Sequence, residues 1–265
     1  TAELPDLGEV ELRNVVTVVP GRAEEAIVLV AHRDNAGVGA AYGDNASGTA
    51  ALIELARGYA PQESSPAPRP QRTLVLVSTD AGAYGGAGAA RFVQESPYAE
   101  RAIAAIVLDG LGGSGRPRIA LAGNDSTSAP RTLVSTATAR IEEQTRTRPA
   151  TPSTLTQLVD LGIPFASGEQ APFLERGIAA VTLTTDDPGD PNVPAGDRQP
   201  GPGGRLGGLG RSTEALVASL DASVGAALRT HATLHLDDRA ASGWAVRLTL
   251  IVAVVPFVLG VLDLL

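Results

Sequence analysis

Apolar and polar positions along the 265-residue chain fall into two rhythms. Ala26 to Ala31, Thr73 to Thr79 and Ile103 to Leu108 are nearly continuous apolar runs, the pattern of strands buried on both faces of a sheet. Glu11 to Val19 alternates, is rich in valine and closes at Pro20-Gly21, so it predicts another strand; Arg118 to Ala122 and Ala179 to Thr185 predict two more. Ala50, Leu52, Ile53, Leu55 and Ala56 recur at helical spacing and predict a helix from Ala46 to Tyr59. Further helices are expected over Gly88 to Gln94, Pro130 to Gln144, Ser153 to Leu161, Ala171 to Arg176 and, longest, Thr213 to Leu236. Pro61 to Pro70 and Asp186 to Gly210, dense in turn-forming residues, read as connections. Strands alternating with helices predict an α/β fold: one α/β/α sandwich around a mostly parallel mixed sheet, spanning residues 1–243 without internal repeats.

The end of the chain follows neither rhythm. Leu248 to Leu262 is an unbroken apolar run of fifteen residues, preceded by Trp244 and Arg247. A bilayer span needs roughly 20 residues, a length reached by taking 244–265 with Arg247 and Asp263 included. A buried C-terminal helix is the competing reading, but such a helix normally keeps a polar face. Residues 244–265 are therefore expected to be a membrane helix, cut short, with Trp244 and Arg247 as an interfacial anchor. The first residue is Thr1 rather than Met, so a preceding segment is expected too.

Composition narrows the function by exclusion. The net charge is −8, which argues against nucleic acid as a partner. Every one of the 21 basic residues is arginine, and the absence of cysteine rules out disulfides, a thiolate nucleophile and zinc fingers.

Three of the buried-type strands end on polar residues: His32 with Asp34, then Asp80, then Asp109. Asp44 joins them from a glycine-rich loop at the start of a helix. Ligands of open α/β sheets gather at the carboxyl ends of strands, and one imidazole with several carboxylates is a zinc-type donor set. Asp34, two residues past His32, is placed to accept the ring N–H that faces away from a metal. Taken singly, each of these residues could as easily be an ordinary strand end or helix cap.

In order, these residues resemble the zinc aminopeptidase family, whose relatives include glutaminyl cyclases, the transferrin receptor ectodomain and nicastrin. His32-Arg33-Asp34 is similar to its H-x-D, Gly43 to Gly48 to its D-N-x-S-G step, and Val107-Leu108-Asp109 to its strand-end aspartate. Gly168 to Phe173 resembles its S-D-H-x-x-F, with Glu169 for Asp and Gln170 for His, and Gly177 to Ala180 follows suit. The matches run from about Val15 to Thr185. The resemblance implies a co-catalytic exopeptidase fold in which His32, Asp44 and Asp109 hold one zinc, Asp34 and Asn45 support those ligands, and Glu169 and Gln170 lie in the cleft.

The departures are as specific as the matches. The family turn D-G-E-E-x-G carries its general base and a second metal ligand, and here Gly82 stands at the base position and Ala83 at the ligand position. The loop 186–210 also lacks the family's closing histidine. A site without the base loses a contribution of roughly 10²–10⁴-fold, and a zinc with one or two protein ligands falls below the usual three or four. The expectation is a catalytically degenerate domain with one residual zinc site or none, tethered to a membrane on its extracytoplasmic side, recognising or scaffolding a peptide or protein. The alternative is an active exopeptidase with a rearranged or one-metal site, which needs Asp80 or Glu169 near the metal, with Asp80 as the possible substitute base. A dinucleotide site is disfavoured because Gly86-Ala87-Gly88-Ala89-Ala90-Arg91 lacks the third glycine of G-x-G-x-x-G. His231 and His235 have i, i+4 spacing without the glutamate of a zincin, and read as solvated helix residues; Asn45-Ala46-Ser47 reads as a chance sequon.

Overall fold

The computed structural model describes residues 2–4, 8–35, 45–61, 69–163, 166, 168–187, 201–202, 204–223, 228–236 and 239–263. Its centre is a six-stranded sheet made by β3 (Val15–Val19), β4 (Ala23–His32), β5 (Arg72–Thr79), β6 (Ala102–Asp109), β7 (Arg118–Ala120) and β8 (Ala179–Thr184). A short hairpin, β1 (Ala2–Leu4) with β2 (Gly8–Val10), precedes it. The sheet order is β3-β5-β4-β6-β8-β7. The four inner strands are parallel to one another, and β3 and β7 run antiparallel along the two edges.

The three apolar runs occupy the interior strands because only there are both faces covered. Ile27, Leu29, Leu74, Leu76, Ile106 and Leu108 pack on one side against α1 (Ala46–Gly58), α3 (Arg131–Thr145) and α6 (Arg205–Ala222). The alternate residues Val28, Val30, Val75, Val77, Ala105 and Val107 pack on the other against α2 (Ala87–Glu95) and α5 (Gln170–Glu175), where Phe92 and Phe173 meet at 6.1 Å between ring centres. This is the expected three-layer arrangement around a mostly parallel sheet. Because the inner strands are parallel, β4, β5 and β6 all deliver their last residues, His32, Thr79 and Asp109, to one edge.

The opposite edge is held by a buried arginine that nothing in the pattern announced. The Arg72 guanidinium donates to the carbonyls of Leu220, Asp221 and Ser223 at 2.7–2.8 Å and to Glu25 at 2.9 Å, so it satisfies the free carbonyls at the end of α6 and meets the negative end of its dipole.

Four expectations need correction. The strand expected over 11–19 forms only at Val15–Val19, and the one over 118–122 ends at Ala120. The connection 186–210 turns helical at Arg205, after Gly204 at φ 87°; the part over 188–200, like residues 62–68 of the earlier connection, lies outside the described residues. Gly207, Gly208 and Gly210 of that connection lie inside α6, where Gly208 packs against Thr145: a methyl group there would be 3.1 Å from Thr145 Cγ2. The helix expected over 213–236 ends at Ala222. Thr233–Leu236 (β9) pairs instead with Arg239–Ser242 (β10), so His235 is a buried strand residue bonded to the Ala129 carbonyl at 3.0 Å rather than a solvated helix residue.

Two further helices complete the chain. α4 (Thr154–Gly162) packs Leu161 against Ala232, Leu234 and Val246. α7 (Trp244–Asp263) is the expected C-terminal helix and carries Pro256 inside it; among the described residues no helix is long and apolar enough to cross a membrane.

Candidate active site

His32 ends β4 with its side chain 7% exposed, held between two carboxylates. Its Nε2 lies 3.3 Å from Asp109 Oδ1, at the end of β6. Its Nδ1 lies 3.2 Å from Asp34 Oδ1, close enough to pair charges although off the line of a hydrogen bond. Burial alone favours the neutral ring, but the contacts with Asp109 and then Asp34 outweigh it and push the His32 pKa up to about 11. Without a metal on the ring, the two carboxylates thus favour its protonated form.

Asp34 is fully engaged behind it. Its two oxygens accept the backbone N–H groups of Gly82 at 2.8 Å and Ala83 at 3.1 Å. Burial pushes the carboxyl up, but His32 and these two N–H groups hold it below the ordinary range. The turn after β5 thus reaches the site through its backbone. Gly82 also lies directly beneath the imidazole: a Cβ built there would fall 2.2 Å from His32 Cβ and 2.4 Å from Cγ, so a side chain at 82 requires His32 to move.

The same turn is tied down from outside. Ala81 takes φ 53°, Ala87 donates to the Ala81 carbonyl at 3.2 Å, and Asn14 bridges the Asp80 N–H to the Gly88 carbonyl. Gly88 is forced by closeness, since a methyl group there would stand 2.1 Å from the Asp80 carbonyl oxygen. Asp80 accepts the N–H groups of Arg13 and Ala81, each at 3.1 Å, and lies 3.3 Å from the Arg33 guanidinium. The proposed substitute base is thereby an ion-paired residue anchored toward β3.

Asn45 does more than support ligands. Its amide donates to the carbonyls of His32 and Leu108 at 3.2 and 2.8 Å, and its oxygen accepts the N–H groups of Gly48 and Gly110 at 3.1 and 2.9 Å. One side chain caps α1 and joins the ends of β4 and β6. Ser47 accepts the Gly112 N–H at 2.8 Å, Thr49 donates to the His32 carbonyl at 2.9 Å, and Gly48 leaves no space for a side chain beside Leu108.

Glu169 lies opposite the turn, buried, with Oε1 accepting the Thr79 hydroxyl at 2.5 Å and Oε2 without a hydrogen-bond partner. Gly86, the left-handed residue before α2, lets its backbone approach: a Cβ there would sit 3.3 Å from Glu169 Cα. Burial pushes the Glu169 pKa up to about 7; the Thr79 bond and His32 pull down, while Asp109 and Asp34 push up. Gln170, by contrast, spends its amide inside the fold, donating to the Ala122 carbonyl at 3.0 Å and accepting from Thr182 at 2.7 Å. Sequence reasoning missed Thr79 and Asn14; a threonine as the last residue of a buried strand was the only signal for the first.

His32 and Asp109 converge as the zinc reading requires, but Asp44, the third member of that set, lies outside the described residues. Among the described residues no group of three or more His, Cys, Asp or Glu side chains is arranged to hold a metal ion, and Ala83 supplies none.

Residues 14–197 match the profile of a protein family described as Peptidase family M28, which bears out the resemblance drawn from the strand-end motifs. The fold is similar to that of BSAP, a zinc aminopeptidase from Bacillus subtilis, with a TM-score of 0.58 at 17% identity over 81% of this chain and 52% of that one. It is similar to an Acidobacteriales bacterium glutaminyl cyclase, with a TM-score of 0.55 at 17% identity over 83% of this chain and 77% of that one. In sequence, 85 residues are 38% identical to transferrin receptor protein 2 of Rattus norvegicus, covering 31% of this chain and 10% of the receptor. The chain thus spans about half the length of the aminopeptidase and a tenth of the receptor.

Proposed function

This chain belongs to peptidase family M28, and from that premise we propose that it is a recognition domain with a closed-down hydrolytic centre, held at a membrane by α7 on the extracytoplasmic side. The observation that carries the first part is the seating of His32 on Gly82, 2.2 Å from where a Cβ would begin. The position where the family places its general base is occupied by the neighbour's ring, and the backbone on either side of it is committed to Asp34. Asp80, the acid expected as a substitute base, is paired to Arg33 instead. The family cleft then serves to hold a peptide or protein segment, with at most one zinc, on His32, Asp109 and Asp44.

The membrane part is supported by apolar surface. Leu155 and Ile163 on and beside α4 are 72% and 73% exposed, and with Val159 they face Ile251, Val254 and Val255 of α7 across a groove of about 1250 Å³. Apolar surface this continuous is a cost in water and normal against lipid. Trp244 opens α7 with 77% of its surface exposed, as an interfacial anchor would.

The test is an aminopeptidase assay on the full chain supplied with zinc, with metal content measured in parallel. The expected result is no turnover above background and at most one zinc per chain. Hydrolysis abolished both by chelator and by His32→Ala would overturn the reading.

One observation favours the active alternative. Glu169 is a buried acid with a free oxygen and a pKa near neutrality beside the His32–Asp109 pair, the condition in which a carboxyl can exchange protons at pH 7. If hydrolysis is found and Glu169→Gln removes it while Asp80→Asn does not, Glu169 is the rearranged base.

A further inference from the structure

The two edges of the central sheet are finished differently. Beyond β7 the chain closes the edge itself: Ile119 N–H reaches the Ala150 carbonyl at 2.9 Å, and Ala150 N–H reaches the Pro117 carbonyl at 2.8 Å. At the other end β3 pairs with β5 alone. Among the described residues no other backbone or side-chain group is bonded to Val15–Val19, so the outer row of β3 N–H and carbonyl groups is unmatched. The surface there is apolar. Val15 is 58% and Val16 42% exposed, and Thr17 is exposed beside them.

β3 carries none of the devices that keep an exposed edge from pairing. Its five residues include no charge, no proline and no glycine, and their register against β5 is unbroken. All five are β-branched, which suits packing across a strand pair. The run Val15-Val16-Thr17-Val18-Val19 also reads the same in both directions. Turned about Thr17 by a two-fold axis, a second copy sets Val15 against Val19, Val16 against Val18 and Thr17 against itself. One edge is thus its own complement. The flanks select the direction. Glu11 and Arg13 precede the strand, Arg22 and Glu24 follow it, and all four are exposed. Antiparallel pairing brings Glu11 and Arg13 of one copy to Arg22 and Glu24 of the other, where unlike charges can meet, whereas parallel pairing opposes each charge to itself.

We propose that two copies of this chain associate through β3, antiparallel about Thr17, joining their six-stranded sheets into one. The axis of such a pair stands across the sheet, so both copies keep α1 on the same side. Ala50, Glu54 and Gly58 of α1 line its groove against α6, and α6 packs in turn on α3, toward β7. The opposite flank of α1 therefore looks toward the β3 edge. Ile53 lies on that flank, 49% exposed, and adds apolar area beside the seam. A five-residue strand and one helix flank are small against the roughly 1,200–2,000 Å² of standard interfaces, so a dissociation constant on the order of micromolar is expected. The seam uses no residue of α7 or of the His32 site and holds however those are read.

The chain has no cysteine of its own, so the test is disulfide trapping on the full chain in neutral detergent, with copper phenanthroline as oxidant. Thr17→Cys places two thiols on the axis, with Cα atoms about 4.5–5.5 Å apart, inside the roughly 4.4–6.8 Å that a disulfide spans. In Val15→Cys the two thiols stand about 13 Å apart along the strands. Thr17→Cys should give at least about fivefold more linked dimer than Val15→Cys. Sedimentation of the unmodified chain over about 1–200 μM should show a concentration-dependent dimer. Thr17→Lys opposes two ammonium groups on the axis and should raise the dissociation constant about fivefold or more. Leu155→Lys, on the exposed face of α4, should change it less than about twofold, which separates this seam from association through α4 and α7. Thr17→Cys is nearly isosteric, so its linkage reads the seam even where Thr17→Lys unfolds. A monomer at every concentration, equal linkage at positions 15 and 17, or a dimer weakened as much by Leu155→Lys as by Thr17→Lys overturns the proposal.

Discussion

Two segments meet at the same sheet edge, one entering α1 at Asn45–Gly48 and the other leaving β5 at Asp80–Gly86, and they are built on opposite principles. In the first, every side chain of the motif is structural. Asn45 makes four hydrogen bonds to backbone groups of β4, β6 and α1, and Gly48 fits where no other residue would. In the second, the turn works through its backbone: the N–H groups of Gly82 and Ala83 hold Asp34, and their side chains hold nothing. Side chains whose only task was chemistry could be absent from this turn without disturbing what it supports. The comparison teaches that N-x-S-G on its own is evidence of the fold, and that the acids of the neighbouring turn are the evidence for hydrolysis.

The largest expected effect breaks the first loop. Asn45→Ala leaves the Leu108 carbonyl and the Gly48 and Gly110 N–H groups buried without this partner, each worth about 1–3 kcal/mol if left unsatisfied, while the His32 carbonyl keeps Thr49. A loss of about 4 kcal/mol or more is expected in chemical denaturation. A loss under about 1 kcal/mol would mean that water replaces the amide and the motif is not architectural.

Most of this edge was legible before the structure, and the reason is physical. Ala26–Ala31, Thr73–Thr79 and Ile103–Leu108 are buried on both faces, so their burial is written in consecutive residues, and parallel strands must end together. The chelation of Asp34 was not legible because it joins residues 48 apart through backbone N–H groups, which every residue type except proline possesses. Glu169 was legible as a substitution but not as a buried acid, since a glutamate before a helix ordinarily faces water. The β9–β10 hairpin was lost because Thr213 to Leu236 holds apolar residues at spacings that suit a helix, and the break at Ala222 depends on Arg72 closing the helix end from another part of the chain.

The next effect concerns the acid facing the second loop. Glu169 has a folded pKa of about 7 against an ordinary 4.5. A carboxyl raised on folding binds its proton more tightly in the native state, so the contribution of Glu169 to stability is highest below pH 4.5 and is lost as pH rises through 7. The full cost above that window is on the order of 3 kcal/mol. Glu169→Gln keeps an acceptor for Thr79 and removes the titration. Its melting temperature should exceed that of the parent at pH 8 and match it at pH 4.5, and a constant difference across that range would show that burial at 169 does not control the proton.

The smallest effects separate the two vacant acid positions from one another. Gly82→Ala places a methyl group into the space of the His32 ring, an overpacking that costs about 1–3 kcal/mol. Because His32 must shift, its imidazole resonances should move as well, which loss of chain flexibility alone would not produce. Ala83 already has a Cβ and is half-exposed, so Ala83→Glu should change stability by no more than about 0.5 kcal/mol. Restoring that acid alone should give no turnover, since a carboxylate at 83 leaves the position of the proton acceptor under His32 closed. If Gly82→Ala proved as mild as Ala83→Glu, His32 would have room to retreat. The turn would then be merely missing its acids rather than shut against them, and an active site rebuilt by two substitutions would become a reasonable target.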